Sequence, residues 1–112
     1  MGGKASRRKG HQFERDVANA LKPIYAKAER HLESQASQAF GVDIRNTGPY
    51  RIQCKAFKST VPMSCIKEIK PGGVHILASK VDNERPLVTM YFDDWLQMME
   101  AIHGISTEGE KI

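Results

Sequence analysis

The chain has 112 residues, a length that fits one domain, and a domain this small buries only about 60–70% of its unfolded surface, so a thin core is expected. With 40% hydrophobic and 27% charged residues the composition is that of a soluble globular protein, and no apolar run approaches the roughly 18 residues that would span a bilayer. The net charge of +4 hides an asymmetry: residues 1–70 carry 14 Lys/Arg against 6 Asp/Glu, whereas residues 71–112 carry 3 against 7. A basic front and an acidic back point to a polyanion on one face, or to a surface tuned for solubility.

The opening, Met1 to Lys9, is Gly-rich and basic and reads as a flexible arm. No apolar segment follows it, so a signal peptide is not expected. Two cysteines, Cys54 and Cys65, are too few for a disulfide framework and have no partners at zinc spacing. They are expected as reduced thiols in a cytoplasmic protein.

From Gly10 the pattern turns helical. Phe13, Val17, Ala20, Leu21, Ile24 and Ala28 recur at three- and four-residue steps and predict a helix over about 10–27. Pro23 lacks a backbone donor and should kink or end it. Residues 28–34 either continue that helix or form a first strand. Residues 35–41 are small and polar and read as a loop. Val42 to Arg45 alternates apolar and polar, Asn46-Thr47-Gly48-Pro49 is a turn by composition, and Tyr50 to Phe57 alternates again, so a β-hairpin is predicted. A short helix capped by Thr60 or Ser64 is expected before Pro71. Strands follow at 74–79 and 87–92, separated by a turn at 82–86. Asp93 is expected to cap a last helix with Trp95, Leu96, Met99 and Ile102 on its apolar side. Residues 104–112 read as a frayed tail. The predicted order, α-β-β-β-α-β-β-α, is an α+β sheet domain over 10–103 with flanking helices.

The hairpin places Arg51, Gln53 and Lys55 on one face of its second strand, with Asp43 opposite Gln53 to within one residue of register. A solvated sheet face accounts for such a pattern, and so does a site. Glu14 decides between them. Its neighbours on the helix surface are Val17 and Ala18, at the edge of the apolar stripe, so a helix docked on the hairpin can aim Glu14 at the same place. Two carboxylates and a side-chain oxygen beside a lysine suit a hard cation. Magnesium held there can grip a phosphate and lower the pKa of a bound water. Lys55 then either orients or deprotonates that water, or neutralises the phosphorane.

Asp43, nine residues, then Gln53-Cys54-Lys55 resembles the signature of the PD-(D/E)xK nucleases. The run Arg8-Lys9-Gly10-His11-Gln12-Phe13-Glu14-Arg15-Asp16-Val17 resembles the opening helix of archaeal-type Holliday junction resolvases. The resemblance covers roughly residues 8–59. It implies a restriction-endonuclease-like mixed sheet and an endonuclease that cuts four-way junctions with magnesium, or manganese as substitute, leaving 5′-phosphate ends. It implies metal binding by Glu14, Asp43, Gln53 and the Cys54 backbone carbonyl, with Lys55 catalytic. Arg15 and Ser34 map to substrate-contacting positions, and Ser34 at the end of a first strand favours the strand reading of 28–34.

The chain departs from the pattern at Val42, where the family has Pro, and at Gln53, where it has Glu; Mrr-like endonucleases resemble this chain in using Gln-x-Lys. Gln53→Glu is expected to keep or raise cleavage. Arg7, Arg8, Lys9, Arg15, Arg45 and Lys58 are candidates for phosphate contact, which supplies affinity without sequence preference. A two-fold symmetric substrate must be cut twice, which favours a homodimer, with Met63, Ile66, Met90 and Trp95 as contact material. No membrane and no small-molecule cofactor are expected. His11, His31, His75 and His103 are scattered and read as structural or exposed. A restriction-like or repair endonuclease on duplex or nicked DNA, and a DNA-binding module that has lost its metal through Gln53, are the competing readings.

Overall fold

The computed structural model describes residues 2–31, 42–70 and 75–104, with side chains from residue 8 onward. Three helices and five strands follow one another as α1 (Gly2–Leu21), β1 (Glu29–Arg30), β2 (Ile44–Arg45), β3 (Arg51–Phe57), α2 (Met63–Ile66), β4 (His75–Val81), β5 (Leu87–Thr89) and α3 (Phe92–His103). The strands form one mixed sheet in the order β1-β2-β3-β4-β5. Three of its pairings are antiparallel, and the central pair, β3 with β4, is parallel from Arg51↔His75 to Phe57↔Val81. The fold is α+β.

Helix α1 differs from its sequence reading at both ends. The first nine residues, expected as a flexible arm, continue the helix forward to Gly2. Ala5, Arg7, Arg8 and Lys9 are good helix formers, and an apolar stripe is not needed to extend a helix already nucleated by the packed turns behind it. At the other end α1 stops at Leu21, not near residue 27. Pro23 has no N–H to carry the ladder on, and the chain turns through Ile24 N–H and Tyr25 N–H, both donating to the Leu21 carbonyl.

The apolar stripe docks on one face of the sheet. Phe13 and Ala18 of α1 pack with Ala28, Ile44, Ile52, Cys54 and Ala78, with Val17, Leu21, Tyr50 and Ile76 around them. Gln53, which pairs with Leu77, lies on the opposite face by strand alternation. There Leu77 and Ile69 are buried.

The hairpin turn follows from its composition. Asn46 (φ 64°) and Gly48 (φ 62°) both take left-handed conformations. Asn46 Nδ2 donates to the Lys27 carbonyl, and Thr47 Oγ1 to the Tyr50 carbonyl, each at 2.8 Å. Ser34 and the 35–41 loop lie outside the described residues, as does 105–112 of the expected tail.

Helix α2 starts from Pro62, not from a Thr60 or Ser64 cap, and α3 starts from Tyr91, with Asp93 inside its first turn. Phe92, Trp95 and Ile102 of α3 are exposed, and Gly104 (φ 65°) ends the helix. Among the described residues no helix is long and apolar enough to cross a membrane.

Candidate metal centre

The site is a notch where β2 leaves β3. Strand β2 has two residues, and after the Ile44↔Ile52 pair the ladder is irregular. Asp43 N–H donates to the Ile52 carbonyl at 2.8 Å, and the Asp43 carbonyl accepts from His31 N–H at 2.8 Å. The Cys54 N–H has lost its strand partner there. It donates instead to Asp43 Oδ2 at 2.7 Å. Successive residues of a strand turn their backbone groups to alternate edges, so the Cys54 carbonyl faces the same notch as its N–H. Asp43 is thereby fixed at the edge of the Gln53-Cys54-Lys55 tripeptide, within the register expected from the sequence.

Glu14 reaches the notch from the α1 side. Burial pushes its carboxyl above the ordinary range, a hydrogen bond from Arg30 pulls it back, and the Asp43 charge pushes it up again. Both acids also bear on Cys54, whose thiol is held protonated by burial first and then by the charges of Asp43 and Glu14. Glu14, Asp43 and Cys54 therefore share one local field. Arg30 Nε donates to Glu14 Oε1 at 3.1 Å, with both side chains mostly buried. Arg30 belongs to the site and sequence reading missed it. The signal was faint: it lies in the stretch left open between helix and strand, and only the Arg30↔Ile44 register turns it to the α1 face.

Gln53 is placed elsewhere. It is buried on the face away from α1, with Oε1 3.2 Å from His75 Nε2. Lys55 shares that face and is half-buried. The two carboxylates fit a hard cation: one oxygen of each is committed, Asp43 Oδ2 to Cys54 and Glu14 Oε1 to Arg30, and their mutual repulsion is relieved by positive charge between them. Among the described residues no His, Cys, Asp or Glu joins them as a third side-chain donor. Magnesium suits that count, since it takes one or two protein carboxylates and completes its shell with water and phosphate oxygens.

The candidate phosphate contacts are scattered in their commitments. Arg8, Arg15 and Lys58 are exposed, and Arg15 Nη2 donates to Gln12 Oε1 at 3.3 Å. Lys9 Nζ pairs with Asp82 at 2.8 Å, and Arg45 pairs with Glu29. The Arg7 side chain and Ser34 lie outside the described residues. No protein-family model, curated protein or solved structure matches this chain.

Proposed function

We propose that this chain is a metal-dependent endodeoxyribonuclease of restriction-endonuclease-like fold that hydrolyses phosphodiesters in branched DNA, with the four-way junction as substrate. The observation that carries the reading is the notch: a backbone-anchored Asp43 beside Cys54, with the Glu14 carboxylate in the same field. Each acid has one structural partner, Cys54 N–H for Asp43 and Arg30 for Glu14, and two partly buried acids crowded together beyond those contacts are a mark of a functional site.

Magnesium, when bound, supplies positive charge at the phosphate and a water of lowered pKa. Asp43 and Glu14 would hold it, with the Cys54 carbonyl beside them. Arg30 offsets the Glu14 charge and orients that carboxylate through Nε. Lys55 lies at the end of the tripeptide on the face away from α1 and would reach the notch around the open sheet edge at Asp43, there to meet the phosphorane charge or take the water proton. Water oxygen bonds to phosphorus, the bond to the 3′ oxygen breaks, and a 5′-phosphate and a 3′-hydroxyl remain. Arg8, Arg15 and Lys58 track the backbone of the arms through charge, without reading bases. A second copy meets the two-fold symmetry of the substrate, and exposed Met63 (61%) and Trp95 (42%) offer apolar surface for it.

The test is cleavage of a labelled four-way junction in magnesium, beside its linear arms and a nicked duplex, with Glu14→Ala and Lys55→Ala as controls. Cutting of the junction alone, lost in both variants, supports the reading. Cutting of the linear or nicked arms favours a restriction or repair enzyme. Binding without cutting in magnesium and manganese leaves a DNA-binding module and ends the nuclease assignment.

A further inference from the structure

Helix α3 is turned inside out with respect to its own sequence. Phe92, Trp95, Leu96, Met99 and Ile102 recur at three- and four-residue steps and fall within an arc of about 120° on its surface. Much of that arc faces outward. Phe92 is 57% exposed, Trp95 42% and Ile102 65%, and the Phe92 and Trp95 rings stack with centroids 5.6 Å apart. Asp94 lies outside the arc and is buried, and its Oδ2 has no hydrogen-bond partner among the described residues. No described helix or strand packs broadly on α3. A helix of 12 residues is marginal on its own in water, and a buried acid without a donor is unfavourable. The apolar face of such a helix belongs against another surface.

The same chain holds an uncovered groove. Helix α1 packs over β1, β2 and β3 and leaves that side of β4 and β5 open. Val17, Leu21, Ile76, Leu87 and Val88 line the opening around a space of about 440 Å³, and Leu87 and Val88 are 63% and 66% exposed. The chain's own α3 departs on the other side. Met90 and Tyr91, which join β5 to α3, line a pocket with Ile66 and Ile69 on the face away from α1.

Charge says what fits the helix. It carries Asp93, Asp94 and Glu100 and no Lys or Arg, so it repels DNA and anionic membrane surfaces. Helix α1, one wall of the groove, carries five Lys/Arg against two acids over Gly2–Leu21. Arg85 stands next to Pro86 on the other rim. Asp16 is the one acid among the lining residues, and its Oδ1 accepts from Gln12 Nε2 at 2.8 Å.

We propose that α3 of one copy docks its Phe92, Trp95 and Ile102 face in the groove between α1 and β5 of a second copy, and that the second copy's α3 returns the contact. An acidic apolar helix and a basic-walled apolar groove on one chain satisfy each other reciprocally, which closes a two-fold dimer. This rests on the nuclease reading for the expectation of two copies, and on the helix and the groove for the contact itself.

The test uses the full chain, by sedimentation equilibrium together with the fluorescence of Trp95, the single tryptophan. The parent is expected to be a dimer whose emission moves to the red on dilution, as Trp95 is released to water. Ile102→Glu on the helix and Val88→Glu in the groove are each expected to raise the dimer dissociation constant about 30-fold or more, the scale of losing an interface anchor, and to keep the emission red. Both side chains are exposed in the single chain, so the circular dichroism of these variants is expected to match that of the diluted parent. Should Val88→Glu fail to fold, Ala20→Glu on the α1 wall decides. A mixture of the Ile102→Glu and Val88→Glu chains is expected to recover part of the affinity, because the mixed pair keeps one of the two contacts intact.

A parent that stays monomeric overturns the proposal, whether Trp95 is open to water or shielded at every dilution by its own chain. A dimer weakened by Ile102→Glu but not by Val88→Glu or Ala20→Glu is joined helix to helix and overturns the groove contact. A dimer that tolerates all three is joined elsewhere and does the same. No recovery in the mixture overturns the reciprocal arrangement. A monomer that cuts junctions leaves the nuclease reading standing without this proposal, and a dimer of the expected kind that cuts no DNA leaves this proposal standing without the nuclease reading.

Discussion

Arg30 Nε and Glu14 Oε1 are 3.1 Å apart across the α1 face of the sheet, so the carboxylate that would bind metal already has a cationic neighbour. Removing one member of a mostly buried pair strands the other, at a typical cost of about 3–5 kcal/mol for full burial and less where water reaches. Arg30→Ala is expected to lower the thermal midpoint in chelator and to regain part of it in magnesium, because a cation replaces the lost charge. Thermal melts with and without magnesium check this. A loss that magnesium does not reduce would separate Arg30 from the metal centre.

Glu14 titrates above the ordinary carboxylate range, chiefly because it is buried. In the metal-free protein the folded state therefore binds its proton more readily than the unfolded state does. That contribution favours folding below the unfolded value, and is lost as pH rises through the raised folded value. Magnesium requires the ionised form. The acid limb of magnesium binding is expected to lie above that of an exposed glutamate, and to move in Glu14→Gln. A metal titration across pH 4 to 7 measures it, a window bracketing the ordinary carboxylate values of about 4.

Lys55→Ala is expected to lower junction cleavage by about 100-fold or more, the scale of losing a positioned proton-transfer or charge-stabilising group. Its effect on stability is expected within about 0.5 kcal/mol, since its half-buried side chain makes no hydrogen bond or ion pair among the described residues. Parent-like cutting by this variant removes Lys55 from the mechanism.

Thiol reactivity separates the two cysteines. Cys54 is buried and held protonated, and Cys65 is half-exposed. A disulfide reagent at neutral pH is expected to label Cys65 rapidly in the folded protein and Cys54 only in denaturant. Rapid labelling of Cys54 would mean that the notch opens far more readily than its burial implies.

Gly48 is expected to resist substitution. At φ +62° a side chain is strained in itself, and a Cβ there meets the Tyr25 ring at 3.2 Å. Gly48→Ala is expected to cost more than the roughly 1 kcal/mol that a compatible Gly→Ala change would contribute, read from the denaturant midpoint.

The helix stripe and the alternating hairpin were legible because each repeats with the period of its element, and Phe13, Ile44 and Ile52 do form the core. The hairpin register brought Asp43 to the tripeptide for the same reason. The front of α1 was not legible, since Gly2 and Gly3 disfavour helix and Ala5, Arg7, Arg8 and Lys9 favour it without an apolar stripe. Nor was Arg30, whose two-residue strand is too short for any pattern to show. The fate of the Gln53 side chain depended on His75, 22 residues away, and nothing in the spacing of isolated histidines announces that contact.

The central parallel ladder of seven residue pairs contrasts with the single pair that joins β2 to β3. Among the described residues, amide protons along β3 and β4 should last longest in deuterium exchange, whereas those flanking Asp43 should trade early. One wall of the notch is thus held by seven residue pairs and the other by one. A bulky polymer could be admitted by loosening that weaker wall alone, at a small fraction of the free energy of global unfolding.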